Sequence, residues 1–529
     1  MKVDCYPISM LPRLSRLFLD YAASHEPIAP FYASTPWSRT SSDGAPTQSS
    51  AHRADVADQL REQNVAWGAG PKALANIDRL RDGAGAVVTG QQVALFGGPV
   101  FTLLKAATVV QRAQAASLVP IFWLAAEDHD LAESDHVTLP SRHALHKLQL
   151  HSEFAHAGQP VGGITLGPRV ANLLDRAAEL IGGTPEFDLL TASYQPDATL
   201  ASAFARLIAA VFADYGLVVI DASTHAFHAL GAPVLRHAIE HAAELETALH
   251  ERDRLLTERG YHSQVLVTPG SSLLFLLNET TGARESLRHK GDTWIAGKAT
   301  YSTSDLLAIL DAAPERLSPN ALLRPVFQDH LLPTAAYVGG PAEIAYFAQS
   351  QVLYQAILSR DPAVLPRLSA TLIEPSIAKV LAQHELTLED IFKNPPDELA
   401  HRLGARAIPI EGKRQLAATG NALDSELEAL VAWTQTLDAG LGRSAEVAAS
   451  KMRYQMNRLR RLTANYQLQH EGSIRRHVDT LSFNLFPDRH PQERTIGGIA
   501  YLARYGSSLV DILVEQATQE CPGHKAIYL

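Results

Sequence analysis

Residues 86–126 carry the pattern that most restricts what this chain can fold into. AVVT (86–89) and VPIFWLAA (119–126) are short, apolar runs with no polar alternation. A strand of that kind has both faces covered. Between them FTLLKAATVVQRAQAA (101–116) has the length and pattern of a helix. Strand, helix and strand in that order make the crossover unit of a parallel sheet. Helix-then-strand recurs at LIAAVFADYG (207–216) and LVVIDAS (217–223), and the alternation returns over 304–374, where Pro375 should stop a last strand. The expected class is α/β, built on a parallel sheet.

At 529 residues the chain is too long for one ordinary core, so several units are expected. Residues 32–52, rich in Ser, Thr, Pro and Gly, read as a loop or arm, and a helical pattern follows over 53–82. The stretch 261–300 reads as a small antiparallel insert with a hairpin around Pro269-Gly270. From about 376 the character turns helical. Leu423, Leu427, Leu430, Thr434, Leu437 and Leu441 recur at four- and three-residue spacings, the mark of a coiled-coil seam. Met452, Leu459, Leu462 and Tyr466, with Gln455 at a seam position, form a second run; Ile474, Val478, Leu481 and Leu485 form a third. Antiparallel helices joined near Gly440–Arg443 would bury these faces, helped by a second copy of the chain. The expected division is 1–375 for the α/β core, 376–485 for the coiled coil and 486–529 for a terminal cap.

A net charge of −10 argues against nucleic acid or an anionic membrane as the main partner. No apolar run is long enough to span a membrane, and MKVDCYPISMLPRLSRLF lacks the continuous apolar core of a signal peptide. The two cysteines, Cys5 and Cys521, have no framework or metal-finger spacing, so a reducing cytoplasm without structural disulfides is expected.

Three stretches could carry chemistry. In TGQQVALFGGPVFTLLKAA (89–107), Gly90, Gln91 and Gln92 end a strand and Gly97-Gly98-Pro99 opens a helix. Such a turn can point backbone N–H groups at an anion, with Lys105 leaning back toward it. A tight turn beside a solvated lysine has the same sequence. In IFWLAAEDHD (121–130) a strand end delivers Glu127, Asp128, His129 and Asp130 to the rim where open α/β sheets bind ligands. Close carboxylates beside an imidazole suit general acid–base work. His129, Glu133 and His136 would share a helical face as metal ligands, and a solvated acidic loop fits the spacing equally well. In SPNALLRPVFQDHLLPTAAYVGGPAEIAYF (318–347), Ser318 or Asn320 can cap a helix carrying Arg324 and Gln328. A strand through Tyr337 then runs to Gly339-Gly340-Pro341 and a helix with Glu343 in its first turn. A fourth run, KMRYQMNRLRRL (451–462), reads as a solvated basic helix face, with contact to a phosphate as the alternative.

TGQQ–LFGGP–K (89–105), the strand with EDHD (119–130) and SPN–LRP–Q–LP–AY–GGP–EIAY (318–346), in this order, resemble the bacillithiol biosynthesis cysteine-adding enzyme family, BshC. The resemblance implies a Rossmann-like core similar to class I synthetases and nucleotidyl transferases, with connecting-peptide inserts at about 140–205 and 240–320. It implies homodimerisation through the coiled coil. It also implies a ligase that joins the carboxyl of L-cysteine to the amine of glucosaminyl-malate, with ATP as the candidate activator. Arg324 and the amides at Gly97–Gly98 or Gly339–Gly340 would then meet the malyl carboxylates. Gln91, Gln92, Asp128 and Asp130 would meet sugar hydroxyls, and His129 or Glu127 would take the amine proton. Two other readings stand beside this one: a different ligase or nucleotidyl transferase on the same fold, and a non-catalytic dimeric scaffold.

Overall fold

The computed structural model describes residues 1–529 except 42–44, 142, 143, 183, 362 and 519. The chain divides into two compact units. One comprises Asp4–Ala370 with Glu493–Lys525; the other comprises Thr371–Gln492 with Met1–Val3 and Ala526–Leu529.

The first unit is built on five parallel strands: β1 (Ala86–Gln92), β2 (Val119–Ala125), β3 (Val218–Asp221), β4 (Thr334–Gly339) and β5 (Ala363–Pro366). Their order across the sheet is β5-β4-β1-β2-β3. β1 pairs with β2 from Ala86↔Val119 to Gln92↔Ala125, and both are almost wholly buried, as their unbroken apolar runs require. The chain builds outward from β1 to β3, then returns to lay β4 on the other side of β1. That reversal puts a crevice at the carboxyl ends of β1 and β4, the place where doubly wound sheets hold ligands.

Helix α1 (Phe101–Ala115) follows β1 and α4 (Pro341–Leu358) follows β4. Two further helices, α2 (His225–Glu240) and α3 (Arg324–Leu331), cross closely. Their approach depends on Gly231, where a Cβ would lie 2.1 Å from the ring of fully buried Phe327. The antiparallel insert is present, its strands being Ser271–Leu277, Arg284–Lys290, Thr293–Ala296, Ala299–Ser302 and Leu317–Pro319. Its first hairpin turns over 278–283. Pro269-Gly270 only leads into the first strand, because the Thr268–Ser271 turn has no strand before it. The helical pattern over 53–82 is two helices, Ser50–Ala66 and Pro71–Arg81, broken where Gly68 takes φ 75° and Pro71 starts a new first turn.

The expected absence of a structural disulfide is overturned: Cys5 and Cys521 form one, their Cα atoms 6.0 Å apart. Spacing could not show this, because the two lie 516 residues apart and meet only through the neighbouring strands Val3–Tyr6 and His524–Tyr528.

In the helical unit α5 (Ile410–Leu437) and α6 (Ala439–His470) meet at Asp438, two residues before the expected joint, and Asp438 caps the second helix through Gly440 and Leu441 N–H. Leu427 and Thr434 face inward as expected. The partner stripe on α6 is Gly442, Ala449, Met456 and Ala464, while Met452, Leu459, Leu462 and Tyr466 stay exposed with Leu430, Leu437 and Leu441. Small side chains let the backbones approach; a Cβ on Gly442 would sit 2.5 Å from Gln435 Cγ. The larger apolar residues are left on the outer stripe. Helix α7 (Gly472–Leu485) buries Ile474, Val478, Leu481 and Leu485 as expected. In the basic run, Arg453 pairs with Asp424 and Arg461 lies over the Tyr454 ring. The expected cap at 486–529 splits, since Glu493–Lys525 belongs to the α/β unit.

Gly231→Ala tests the helix crossing that positions His228 and Arg324. Overpacking of about 1–3 kcal/mol should exceed the helix-propensity gain of about 1 kcal/mol, so the melting temperature falls. An unchanged thermal transition by circular dichroism would mean that α2 and α3 do not pack this closely.

Candidate active site

The crevice has a volume of about 670 Å³ and opens at the carboxyl ends of the parallel strands. Gly90, Gln91 and Gln92 reach it from β1; Glu127, Asp128 and His129 from β2; Gly340 and Glu343 from β4 and α4. Arg324, Asn320 and Lys105 complete the expected residues on its wall. Six others do not line it: Gly97, Gly98, Asp130, Gln328, Tyr337 and Gly339.

A buried ion pair ties the two halves of the sheet together at the floor. Lys105 from α1 pairs with Glu343 from α4 and donates to Gly90 O at 2.5 Å. Glu343 accepts Tyr337 OH (2.6 Å) through one oxygen and Gly340 N–H (2.8 Å) through the other. Burial lowers the Lys105 pKa to about 8 against the opposing pull of Glu343. Burial pushes Glu343 the other way, yet Lys105 and the hydrogen bonds hold its carboxyl below the usual value. Gly90 is required here: a Cβ would meet Tyr337 Oη at 3.0 Å and Arg324 Nη1 at 3.3 Å. Tyr337 thus supports the site from beneath, and Arg324 reaches the wall while donating to Tyr346 OH at 2.7 Å.

The glycine turns do not offer the amides expected of them. Gly97 N–H donates to Tyr194 OH at 3.0 Å, Gly98 N–H to Leu95 O at 3.1 Å, and Gly340 N–H to Glu343. Gly97 and Gly98 take φ of 81° and 68°, so their glycines serve the turn itself. Lys105 is held by a carboxylate and a carbonyl within the chain. Gln328 is buried and donates to Asp329, because it lies one turn deeper in α3 than Arg324, which begins the helix at the crevice wall.

At the end of β2 the four polar residues separate. Burial would raise the Asp128 pKa, but Gln92 Nε2 (2.5 Å), the N–H groups of Asp130 and His129, and nearby Arg284 bring it below the usual range. Glu127 bonds to His228 Nε2 at 2.9 Å, and His228 is fully buried on α2. Burial disfavours charge on that imidazole, yet Glu127 raises its pKa. His129 is the accessible base: its ring packs near Phe275 (5.7 Å between centroids) and it opens to the crevice. Asp130 is exposed and precedes the short helix Leu131–Ser134. His136 opens the strand that follows and sits beside Asp135, away from the helical face expected for it with His129 and Glu133.

Several residues that build the site had no sequence signal. Arg284 comes from the antiparallel insert, donates to Ser318 Oγ and Pro319 O, and lies 3.8 Å from the Phe275 ring centroid. His228 reaches Glu127 from a helix a hundred residues later. Arg367, one residue past β5, donates to both oxygens of Glu493, which also accepts Ser369 Oγ and Ala370 N–H. Burial would raise the Glu493 carboxyl; Arg367 and these donors hold it down to about 2.

A carboxyl depressed by folding adds stability above its unfolded pKa and loses it as pH falls through the folded value. For Glu493 that window runs from 4.5 down to about 2. Glu493→Gln should therefore be less stable than the parent by on the order of 3 kcal/mol at neutral pH, with the gap closing across the window. Denaturant titrations at stepped pH measure it, and a gap independent of pH would count against this assignment.

Residues 1–368 match the family described as bacillithiol biosynthesis BshC, N-terminal Rossmann-like domain, and residues 370–529 match its C-terminal coiled-coil domain. A protein of Koribacter versatilis named "Putative cysteine ligase BshC" is 42% identical over 537 residues, covering 99% of each chain. Proteins with the same name from Solibacter usitatus and Salinibacter ruber are 35% and 33% identical, covering 100% of both chains and 98% and 97% respectively. With both of its regions matched end to end, the chain belongs to the BshC family.

Proposed function

We propose that this protein is a cysteine ligase that joins the carboxyl of L-cysteine to the amine of glucosaminyl-malate, giving bacillithiol. The observation that carries the reading is a single crevice in which an accessible imidazole, an acid dyad and several guanidinium groups converge, in a chain related over its whole length to proteins named as cysteine ligases.

An amine attacks a carboxyl carbon only as the free base, and the carboxylate oxygen must leave as part of a better leaving group. ATP is the proposed activator, supplying that leaving group when bound. His129 takes the proton as the sugar nitrogen bonds to the cysteine carbonyl carbon. Glu127, held in place by its hydrogen bond with His228, orients the amine, and Arg324 meets a malyl carboxylate. Asp128, with its oxygens already loaded with donors, orders the turn and leaves the acid–base task to its neighbour.

The protein works as a homodimer in this reading. Leu430, Trp433, Leu437, Leu459 and Leu462 form exposed apolar stripes on α5 and α6 that a second copy would cover. The proposed location is the cytoplasm. Among the described residues no helix is long and apolar enough to cross a membrane.

His129→Asn should lower kcat by about 10²–10⁴ with KM for both substrates and the melting temperature retained. Product formation followed by thiol labelling and mass spectrometry measures this; unchanged turnover removes His129 from acid–base duty. Leu437→Glu combined with Leu459→Glu should convert dimer to monomer in sedimentation velocity, and a persistent dimer would place the interface elsewhere.

A further inference from the structure

The α/β unit receives its last segment, Glu493–Lys525, after the chain has traversed the whole helical region. Its first residue is locked in place. Glu493 is 2% exposed, and its carboxylate takes two hydrogen bonds from Arg367, one from Ser369 Oγ and one from Ala370 N–H. That anchor fixes the position of the next residue, Arg494, which is open to solvent and lines the crevice.

Arg494 stands beside another cation. Its guanidinium carbon lies 5.9 Å from the Phe101 ring centroid, and that of Arg367 lies 5.5 Å from the same ring. Arg367 is neutralised by Glu493, whereas Arg494 has no acidic partner among the described residues. Two guanidinium groups lie against one aromatic ring; Arg367 gives its donors to Glu493, and Arg494 is left on the cavity wall.

The surroundings of that guanidinium fork favour a carboxylate over a phosphate chain. Guanidinium forks match carboxylates and phosphates alike in bidentate fashion, so the groups around the fork decide between them. The features that cradle a polyphosphate, free turn amides and an unpaired lysine, are engaged elsewhere here: Gly97, Gly98 and Gly340 N–H have acceptors in the chain, and Lys105 is paired with Glu343. We propose that Arg494, supported by Arg367 and Phe101, binds a carboxylate of the acceptor substrate and makes the crevice selective for an acidic aglycone over a neutral one. The proposal rests on reading the crevice as the acceptor site of a ligase. It assigns a specificity role to a residue delivered by the returning C-terminal segment.

Titration calorimetry on the full-length protein tests it with three ligands: glucosaminyl-malate, methyl glucosaminide and ATP. In Arg494→Gln the Kd for glucosaminyl-malate should rise by about tenfold or more, as expected for loss of a charge-assisted pair. Methyl glucosaminide and ATP should bind as to the parent. Arg494→Lys should fall between, keeping the charge and losing the fork. The melting temperature of both variants should match the parent, because Arg494 has no acidic partner to lose. If the parent binds glucosaminyl-malate and Arg494→Gln binds it equally well, the specificity role is overturned while the ligase reading stands. Loss of ATP affinity alone would assign Arg494 to phosphate and overturn the proposal. A parent that does not bind glucosaminyl-malate would remove the ligase reading, and this role with it.

Discussion

The ion pair between Lys105 and Glu343 is the constraint around which the crevice is organised. Each partner sits on the helix that follows one of two adjacent strands, β1 and β4, which are separated by more than two hundred residues of chain. Opposite charges removed from water persist only where their remaining hydrogen-bonding capacity is met. Gly90 O, Tyr337 OH and Gly340 N–H meet it. The pair thereby closes the sheet's point of reversal and takes up polar groups that would otherwise face a ligand. Recognition passes to the side chains above it.

A second buried pair does the same work at the far edge. Arg367 leaves β5 and meets Glu493, which the chain supplies only after its helical excursion. Both pairs are anchors whose charges are neutralised within the fold. What they leave open is a wall with separate tasks: guanidinium groups from three elements, a carboxylate–imidazole dyad, and one accessible histidine. Such a division lets neighbouring titratable groups differ in character, with Asp128 loaded by donors while His129 stays open.

Much of the α/β framework is legible in the sequence. The unbroken apolar runs at 86–89 and 119–126 mean strands covered on both faces, and the rim position of Glu127–His129 follows from the parallel arrangement. The helical region is legible as helices, yet on α6 the face that packs is not the one the leucine spacing suggests. There the packing stripe is Gly442, Ala449, Met456 and Ala464, which a search for large apolar residues passes over. Heptad spacing identifies stripes on a helix; which stripe turns inward depends on how closely the neighbouring backbone can approach.

Sequence alone determined the fold class, the strand ends that carry the polar residues and the small residues that the turns require, because these follow from local periodicity and backbone sterics. Tertiary structure alone decided which polar groups are engaged. Gly97, Gly98 and Gly340 look like anion-binding turns until Tyr194, Leu95 and Glu343 take their N–H groups. Arg284 and Arg494 reach the crevice from an insert and a returning tail, buried His228 backs Glu127 from a distant helix, and Cys5 meets Cys521 across nearly the full chain. Hydrogen bonds and charge pairs are satisfied through space, and no spacing along the chain encodes a partner that folding brings from hundreds of residues away.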